Sequence, residues 1–257
     1  MTRPRPRLAV WKLASCDGCQ LSVLDCEDEL LAIAGAVDIV YFPEATSRSE
    51  PGPYDVSLVE GSITSKHDAE QIQKIRAASK VLIAIGACAT AGGVQALRNL
   101  RDHAAMLRVV YARPEYLDSL ATSTPVSAHV HVDMELRGCP ISKRQLLELI
   151  TALLHGKAPV LPKHAVCVEC KQRGTTCVTI ARGVPCLGPI TQAGCQALCP
   201  SHGRGCFGCF GASDAPQVPA LVEQLRAHGA SAGEIERLLS AFGPDAFSRA
   251  AGDRSER

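Results

Sequence analysis

The chain has 257 residues, a formal net charge of +1 and 46% apolar residues, enough for one large domain or two modest ones. A nearly neutral chain without a basic stripe gives no electrostatic footprint for nucleic acid or an anionic membrane surface, so we expect neither partner. No apolar run approaches the ~20 residues that a membrane-spanning helix needs. The unusual feature of the composition is its 13 cysteines.

The N-terminal segment indicates the compartment. Its one apolar run, Leu8 to Ala14, is short for a signal-peptide core, and no small-residue cleavage site follows it. The segment also lacks a twin-arginine pair. We therefore expect a cytoplasmic protein, in which cysteines are more typical of metal sites than of disulfides.

Strand and helix patterns alternate through the first part of the chain, which predicts an α/β fold with a doubly wound parallel sheet over residues 1–157. Strands are predicted at 8–14, 37–42, 55–60, 81–85 and 127–132. Helices are predicted at 21–35 with Gly35 as the C-terminal cap, at 66–79, from just after Gly93 to about Arg101, and after Ser142. Residues 102–125 show no readable pattern.

A segment rich in Gly and Pro, residues 156–163, is the predicted linker to a second domain, 158–257. The later part of that domain is predicted to be helical. Ser231 and Glu234 have the spacing of a capping box that opens a helix. The polar tail from Ala250 is expected to be frayed.

The second domain begins with a cysteine-rich stretch that has too few apolar residues to bury a core of its own. Thiolate–metal bonds would fold such a segment. It holds eight cysteines, enough for two sets of four ligands: Cys167, Cys170, Cys177, Cys186, Cys195, Cys199, Cys206 and Cys209.

Four more cysteines, Cys16, Cys19, Cys88 and Cys139, each lie just past the predicted carboxyl end of a strand. Because these ends meet at one edge of an open α/β sheet, the sequence predicts that the four thiols converge. Glycines beside them would let the backbone approach a bulky inorganic cluster. A thioredoxin-type redox pair would explain only the first two cysteines, and the CxxC pairs at 167/170 and 206/209 also resemble zinc knuckles.

Several motifs together resemble the small, electron-transferring subunit of [NiFe] hydrogenases. They are SCDGCQ (15–20), VEGSI (59–63), IGACATAGGVQ (85–95), RGCP (137–140) and PCLGPITQAGC (185–195). Within that family the chain looks most similar to the delta subunit of the sulfhydrogenase, NAD(P)-linked type, whose tail resembles GASAGEIERLLSAFG (229–243). The resemblance implies a flavodoxin-like domain followed by a ferredoxin-like iron–sulfur domain with C-terminal helices.

The same resemblance implies three [4Fe–4S] clusters, one for each set of four cysteines. The proximal set is Cys16, Cys19, Cys88 and Cys139; the medial set is Cys195, Cys199, Cys206 and Cys209; and the distal set is Cys167, Cys170, Cys177 and Cys186. Cys167 stands where membrane-associated relatives have a histidine. Cys199 stands where those relatives have a proline, which favours a four-iron over a three-iron medial cluster. Sequence spacing alone leaves the division between the medial and distal sets open, because ferredoxins interleave their ligands.

Three remaining features carry less chemistry. Cys26 lies outside every set and is interpreted as a buried core thiol. His129 and His131 alternate on a predicted strand but lack a partner at matching spacing, so we interpret them as structural. Glu60 follows a buried strand and is expected to face the cluster edge, either near a partner subunit or as a solvated or capping carboxylate.

The function implied by the resemblance is electron transfer within a soluble [NiFe] hydrogenase, an H2:NAD(P)+ oxidoreductase. Its partners would be a large subunit with the Ni–Fe site, a flavin- and NAD(P)-binding subunit, and further iron–sulfur subunits. This chain would hold the electron relay and no catalytic residue. The alternative is an iron–sulfur subunit of a related quinone- or ferredoxin-linked complex, although such relatives generally lack the segment 167–209.

Overall fold

The computed structural model describes residues 4–244 and 247. Contacts between Cα atoms divide the chain into two compact units, Met1–Leu161 and Pro162–Arg257. Leu161 packs against the apolar core of the first unit, and the Val160 backbone N–H donates to the Glu148 carboxylate at 3.3 Å, so the first unit extends past Lys157.

One sheet of five parallel strands organises the first unit. The strands are β1 Arg7–Lys12, β2 Asp38–Tyr41, β3 Tyr54–Glu60, β4 Ser79–Ile85 and β5 Met134–Leu136. Their order, β2-β1-β3-β4-β5, is that of flavodoxin-like doubly wound sheets, so the predicted fold class is confirmed. Parallel pairing brings the carboxyl ends of all five strands to one edge, with the switch in strand order between β1 and β3.

Helices cover both faces of this sheet. They are α1 Gly18–Leu24, α2 Glu27–Ala36, α3 Lys66–Ala78, α4 Gly86–Ala91, α5 His103–Val110 and α6 Lys143–Leu154, with 3-10 turns at Val94–Leu100, Pro114–Tyr116 and Val126–Ala128. One core cluster includes Leu58, Ile83 and Leu146. Another includes Leu82 and Ile72, so alternate residues of β3 and β4 serve opposite faces.

The helix predicted over 21–35 is wrong in two respects. The chain forms two helices, α1 and α2, with a break at Asp25–Cys26 where Glu27 adopts φ 44°. Gly35 lies inside α2 and is not the C-terminal cap. The helix ends at Ala36, because Val37 turns to an extended conformation that leads into β2.

The strand predicted over 127–132 is also wrong. The backbone N–H groups of Ala128, His129 and Val130 bond to Pro125 and Val126 carbonyls, which makes local turns and no ladder. The alternation of apolar residues there reflects the packing of Val126, Val130 and Val132 onto the core. The fifth strand, β5, comes later and pairs with Ile83–Ile85.

Short helices and loops form the second unit, and none of its described residues belongs to a β-strand. The helices are α7 Val166–Gln172, α8 Val178–Arg182, α9 Leu198–Ser201, α10 Val218–Ala227 and α11 Ala232–Ser240. The capping box predicted at Ser231 and Glu234 is confirmed in both of its hydrogen bonds. Helices α10 and α11 pack against Leu187 and Ile190. The tail from Ala250 lies outside the described residues.

Within the described part of the chain, no helix is both long and apolar enough to cross a bilayer.

Candidate metal centres

The proximal set lies along the carboxyl edge of the sheet. Cys16 and Cys19 follow β1, with Cys19 in the first turn of α1; Cys88 lies in α4, directly after β4; and Cys139 follows β5. Cys19 is buried, Cys88 and Cys139 are half-buried, and Cys16 is exposed. The fold therefore brings three loops that are distant in sequence, and all four predicted thiols, to the same edge.

Glycines beside these thiols leave space that a side chain would fill. Gly86 has φ +84°, and a Cβ placed there would overlap the Cys19 Sγ atom. At Gly93, with φ +66°, a Cβ would lie 2.6 Å from the Cys88 Sγ atom. At Gly18 it would lie 3.4 Å from the Cys16 Sγ atom. The proximal set thus has a cradle of thiols and glycine backbone, which suits a group bulkier than a single ion.

Burial is the main cause that raises the pKa of the Cys19 thiol, and the Glu60 carboxylate adds to it. Burial also raises the pKa of Cys88, to about 11, and the pKa of Cys139. Neighbouring cysteines of the set contribute to each rise, which reports their mutual proximity. The thiolate is the metal-binding form, and a bound cation stabilises it. A cationic cluster would therefore offset the electrostatic cost of gathering these thiols.

Two buried polar side chains support this edge. Glu60, the last residue of β3, is only 2% exposed, so the interpretation as a solvated carboxylate is wrong. Its carboxylate accepts the Cys19 backbone N–H at 3.0 Å and the Gln20 side-chain amide at 2.9 Å. The Gln20 Oε1 atom is the one buried side-chain oxygen or nitrogen of the described residues without a hydrogen-bond partner. The edge therefore holds an unused acceptor as well as thiols.

Gln95 was not singled out by sequence reasoning, although it ends one of the motifs. Its amide donates to the Ala14 carbonyl at 2.7 Å and to the Ser62 hydroxyl at 3.3 Å. Its Oε1 atom lies 3.5 Å from the Cys88 Sγ atom and accepts from the thiol. Gln95 thus connects the loops after β1, β3 and β4, a role that only the assembled edge reveals.

The distal set gathers around the N-terminal part of the second unit. Cys167 and Cys170 lie in α7, Cys177 precedes α8, and Cys186 is buried in the following loop. A Cβ at Gly188 would lie 3.3 Å from the Cys186 Sγ atom and 3.4 Å from the Cys167 Sγ atom. Burial raises the pKa of Cys167 to about 11, and the other three thiols of the set add to the rise. All four distal thiols therefore act on one another.

The medial set is not clearly separated from the distal set. Burial raises the pKa of Cys195, with Cys199 as a further cause, and burial raises the pKa of Cys206, with Cys186 and Cys209 as further causes. The Cys186 Sγ atom accepts the Cys206 backbone N–H at 3.1 Å. The medial and distal sets thus adjoin at Cys186 and Cys206, where the sequence left their division open.

Cys26 is fully buried in the core of the first unit, as its interpretation requires. Its Sγ atom lies 3.5 Å from the Ser22 carbonyl oxygen one turn earlier. Burial in the core and this local contact therefore account for the thiol without a ligand.

The two histidines do not share a strand. His129 contacts the Thr124 hydroxyl at 2.7 Å. The His131 side chain is 80% exposed and lies 3.6 Å from the Asp133 carboxylate. Among the residues that the structure describes, no group of three or more His, Cys, Asp or Glu side chains is arranged to hold a single metal ion.

The first unit is a flavodoxin-type sheet with thiols and glycines along its carboxyl edge, and the second is a thiol-rich helical unit. This combination is typical of proteins that bind metal–sulfur groups. The comparisons narrow that class. A family model described as NADH ubiquinone oxidoreductase, 20 Kd subunit, matches residues 16–153, more than half of the chain. The chain belongs to this family.

Relatives extend the match through the second unit. Sulfhydrogenase 2 subunit delta of Pyrococcus furiosus is 37% identical over 220 residues, which cover 86% of this chain and 92% of that protein. One subunit of the F420-non-reducing hydrogenase vhu of Methanocaldococcus jannaschii is 36% identical over 237 residues, covering 81% of this chain and 82% of that protein. The chain is thus a hydrogenase small-subunit relative, as the sequence motifs predicted.

A solved structure supports the same relationship. The structure of an NAD+-reducing [NiFe]-hydrogenase in the H2-reduced state contains a chain with a TM-score of 0.57 and 31% identity. The match covers 62% of this chain and 96% of that one.

Proposed function

We propose that this chain is the electron-transfer subunit of a [NiFe] hydrogenase and that the proximal, medial and distal sets each hold one [4Fe–4S] cluster. The observation that carries the proposal is the grouping of twelve cysteines into thiol-rich sites. The relatives that match most of the chain are hydrogenase subunits. The clusters, when bound, supply one-electron redox chemistry. In this proposal residues 1–157 carry the proximal set, and residues 158–257 carry the other two.

The chain's own residues have three tasks in this role. The cysteines hold the irons, and the glycines Gly86 and Gly93 leave the space that a cluster needs. Backbone N–H groups donate to sulfur, as Gly188 and Cys206 do to the Cys186 Sγ atom at 3.4 and 3.1 Å. Such hydrogen bonds and the degree of burial tune the reduction potential of iron–sulfur sites.

An exposed apolar surface next to the proximal set supports a large partner subunit. We call it the 94–117 surface; it consists of Val94, Leu97, Leu100, Met106, Val109, Val110, Tyr111, Tyr116 and Leu117. No residue of α5 is buried, and Val109 is 87% exposed. Nine exposed apolar residues within 24 positions are a concentration of apolar surface of the kind that marks interaction sites. The surface begins beside Gly93, which adjoins Cys88, so a subunit that covers it would also cover the proximal edge.

The electron acceptor is proposed from the relatives. The NAD+-reducing neighbour supports a flavin- and NAD(P)-binding partner with further iron–sulfur subunits, which makes the complex an H2:NAD(P)+ oxidoreductase. The family description favours a quinone- or ferredoxin-linked complex as the second candidate. That family match ends at residue 153, however, whereas the hydrogenase relatives extend through most of the chain and so favour the first candidate.

Anaerobic purification of the tagged chain from its own cells tests this function. We expect a nickel-containing subunit to co-purify, and the complex to reduce both a dye and NAD(P) with H2. The isolated chain should reduce neither. Dye reduction without NAD(P) reduction would favour the second candidate, and H2-dependent dye reduction by the isolated chain would contradict the proposal.

A further inference from the structure

Glu169 is a buried carboxylate inside the cysteine-rich segment. It lies in α7 between Cys167 and Cys170, and its residue is only 9% exposed. Among the residues that the structure describes, Glu60 and Glu169 are the two buried carboxylates. Glu60 supports the proximal set. Carboxylates are rarely buried without a specific partner, so the burial of Glu169 among the distal cysteines needs an explanation of its own.

The contacts of Glu169 join the segment of the distal set to the segment of the medial set. One carboxylate oxygen accepts the Gly194 backbone N–H at 2.9 Å, and the other accepts the Ala197 backbone N–H at 3.1 Å. These two N–H groups flank Cys195, the first medial cysteine. The side chain of a residue between two distal cysteines therefore holds the loop that presents a medial cysteine.

The loop needs this support. Gln196 and Ala197 both have positive φ, 56° and 55°, which costs a residue with a side chain free energy. A strained conformation persists where its surroundings fix it. Besides the two bonds to Glu169, the Arg173 guanidinium at the end of α7 donates to the Gln196 carbonyl at 2.9 Å. Two side chains of one helix thus fix the conformation of the Cys195 loop.

The charge of Glu169 also acts on both sets. Each Glu169 carboxylate oxygen accepts one backbone N–H, and no ion pair among the described residues includes this side chain. Cys170 is the next residue along α7. Cys195 lies between the two residues whose backbone N–H groups bond to the Glu169 carboxylate.

We propose that Glu169 is a positioning residue that holds the Cys195 loop against α7 and, through its buried negative charge, lowers the reduction potentials of the groups bound by the distal and medial sets. The sign follows from charge alone, because a nearby anion disfavours the addition of an electron. This inference rests on the proposed function, since it requires clusters at both sets.

The test is a potentiometric titration of the anaerobically prepared full chain, followed by electron paramagnetic resonance, with dithionite as the reductant. Glu169→Gln removes the charge at nearly constant shape. We expect both potentials to rise, with a change on the order of tenfold in each reduction equilibrium, equivalent to about 59 mV for a one-electron couple. Glu223→Gln is the matched control, because it removes the same charge from an exposed position of α10 and should shift neither potential.

Arg173→Gln separates support of the loop from the effect of charge. It removes one bond to the loop but keeps the buried carboxylate, and the lost charge is exposed and opposite in sign. Its potentials should stay near those of the unchanged chain or fall slightly. Unchanged potentials in Glu169→Gln, or an equal rise in Arg173→Gln, would overturn the proposal.

If Glu169→Gln loses iron, Glu169→Asp decides, because it keeps the carboxylate. Full iron and unshifted potentials in Glu169→Asp would support the proposal, whereas iron loss equal to that of Glu169→Gln would overturn it. Failure of the proposed function is distinguishable, because the unchanged chain would then lack clusters at these sets from the outset.

Discussion

At the scale of single residues, a missing methyl group decides what the proximal edge can hold. Gly86 and Gly174 both have positive φ, +84° and +66°, so either would strain on substitution by alanine. They differ in surroundings, because a Cβ at Gly86 meets the Cys19 Sγ atom and a Cβ at Gly174 meets nothing within 4 Å. The pair therefore separates the space for a cluster from backbone strain alone.

Gly86→Ala should lose the proximal cluster, about four irons per chain, while Gly174→Ala should keep its full iron and lose only ~1 kcal/mol of stability. Iron and acid-labile sulfide analysis after anaerobic preparation checks both variants. The iron that remains on the other two sets shows that Gly86→Ala has folded. Full iron in Gly86→Ala would show that the cradle is not the cluster site.

Cys26 provides a second comparison at this scale. Its thiol is buried and already contacts the Ser22 carbonyl, so Cys26→Ser keeps a donor there and should leave the iron content unchanged. Cys88→Ser removes a proposed ligand and should cost about four irons. Iron analysis of the two variants side by side is the measurement. Iron loss in Cys26→Ser would mean that the ligand assignment is wrong.

At the scale of elements, the capping box of α11 allows a prediction about local stability. The Ser231 hydroxyl accepts the Glu234 backbone N–H, and the Glu234 carboxylate accepts from Ser231 in return. Ser231→Ala should destabilise the helix by about 1 kcal/mol, which is roughly a fivefold faster hydrogen exchange of the α11 amides. Ser240→Ala, at the other end of α11, is the control and should change exchange far less.

The pH dependence of this capping box has a definite sign. Hydrogen bonds from the Ser231 backbone and then its side chain lower the pKa of Glu234. A carboxyl group with a lowered pKa contributes stability above its unfolded-state value, roughly 4.3. That contribution is lost as the pH falls through the folded-state value. The effect of Ser231→Ala on exchange should therefore be constant from neutral pH to about pH 5, and a loss of the effect within that range would contradict the assignment.

The elements also show which features a sequence reveals. The four apolar segments that form β1 to β4 were predicted as strands, because a parallel sheet buries both of its faces and its strands are therefore apolar. In the segment 127–132, apolar residues alternate with polar ones as they do in a strand, yet they pack onto the core from a turn. Burial of every second residue does not require hydrogen bonds to a neighbouring strand. The break between α1 and α2 has no Gly or Pro to mark it, because Glu27 itself takes the positive φ.

The sequence predicts the candidate ligands of the site, from residue type and strand ends, but not the residues that support them. Cysteine identity and the position of strand ends placed Cys16, Cys19 and Cys88 at one edge of the sheet. Cys139 also lies there, although it follows β5 at Met134–Leu136 and not the strand predicted over 127–132. Glu169 and Gln95 were missed because their partners are backbone groups or loops distant in sequence, which no spacing rule encodes. The adjoining of Cys186 and Cys206 likewise depends on how the second unit folds.

At the scale of the whole molecule, the 94–117 surface makes the partner testable. Val109 is 87% exposed and Val160 is 83% exposed, so neither substitution disturbs a core. Val109→Glu should weaken binding of the proposed large subunit about tenfold, because a partner that covers the 94–117 surface would bury the new charge. Val160→Glu lies outside this surface and should leave binding unchanged. Quantitative co-purification measures both, and equal binding by the two variants would argue that the partner docks elsewhere.

The proposed electron relay depends on twelve of the 13 cysteines binding three [4Fe–4S] clusters. Combined metal and sulfide analysis of the anaerobically prepared full chain, with electron paramagnetic resonance of its oxidised form, tests it most directly. We expect about twelve irons and about twelve sulfides per chain, with no signal of an oxidised three-iron centre because Cys199 is the proposed fourth medial ligand. Stoichiometric zinc, or about four irons in total, would show that these cysteines do not bind three four-iron clusters.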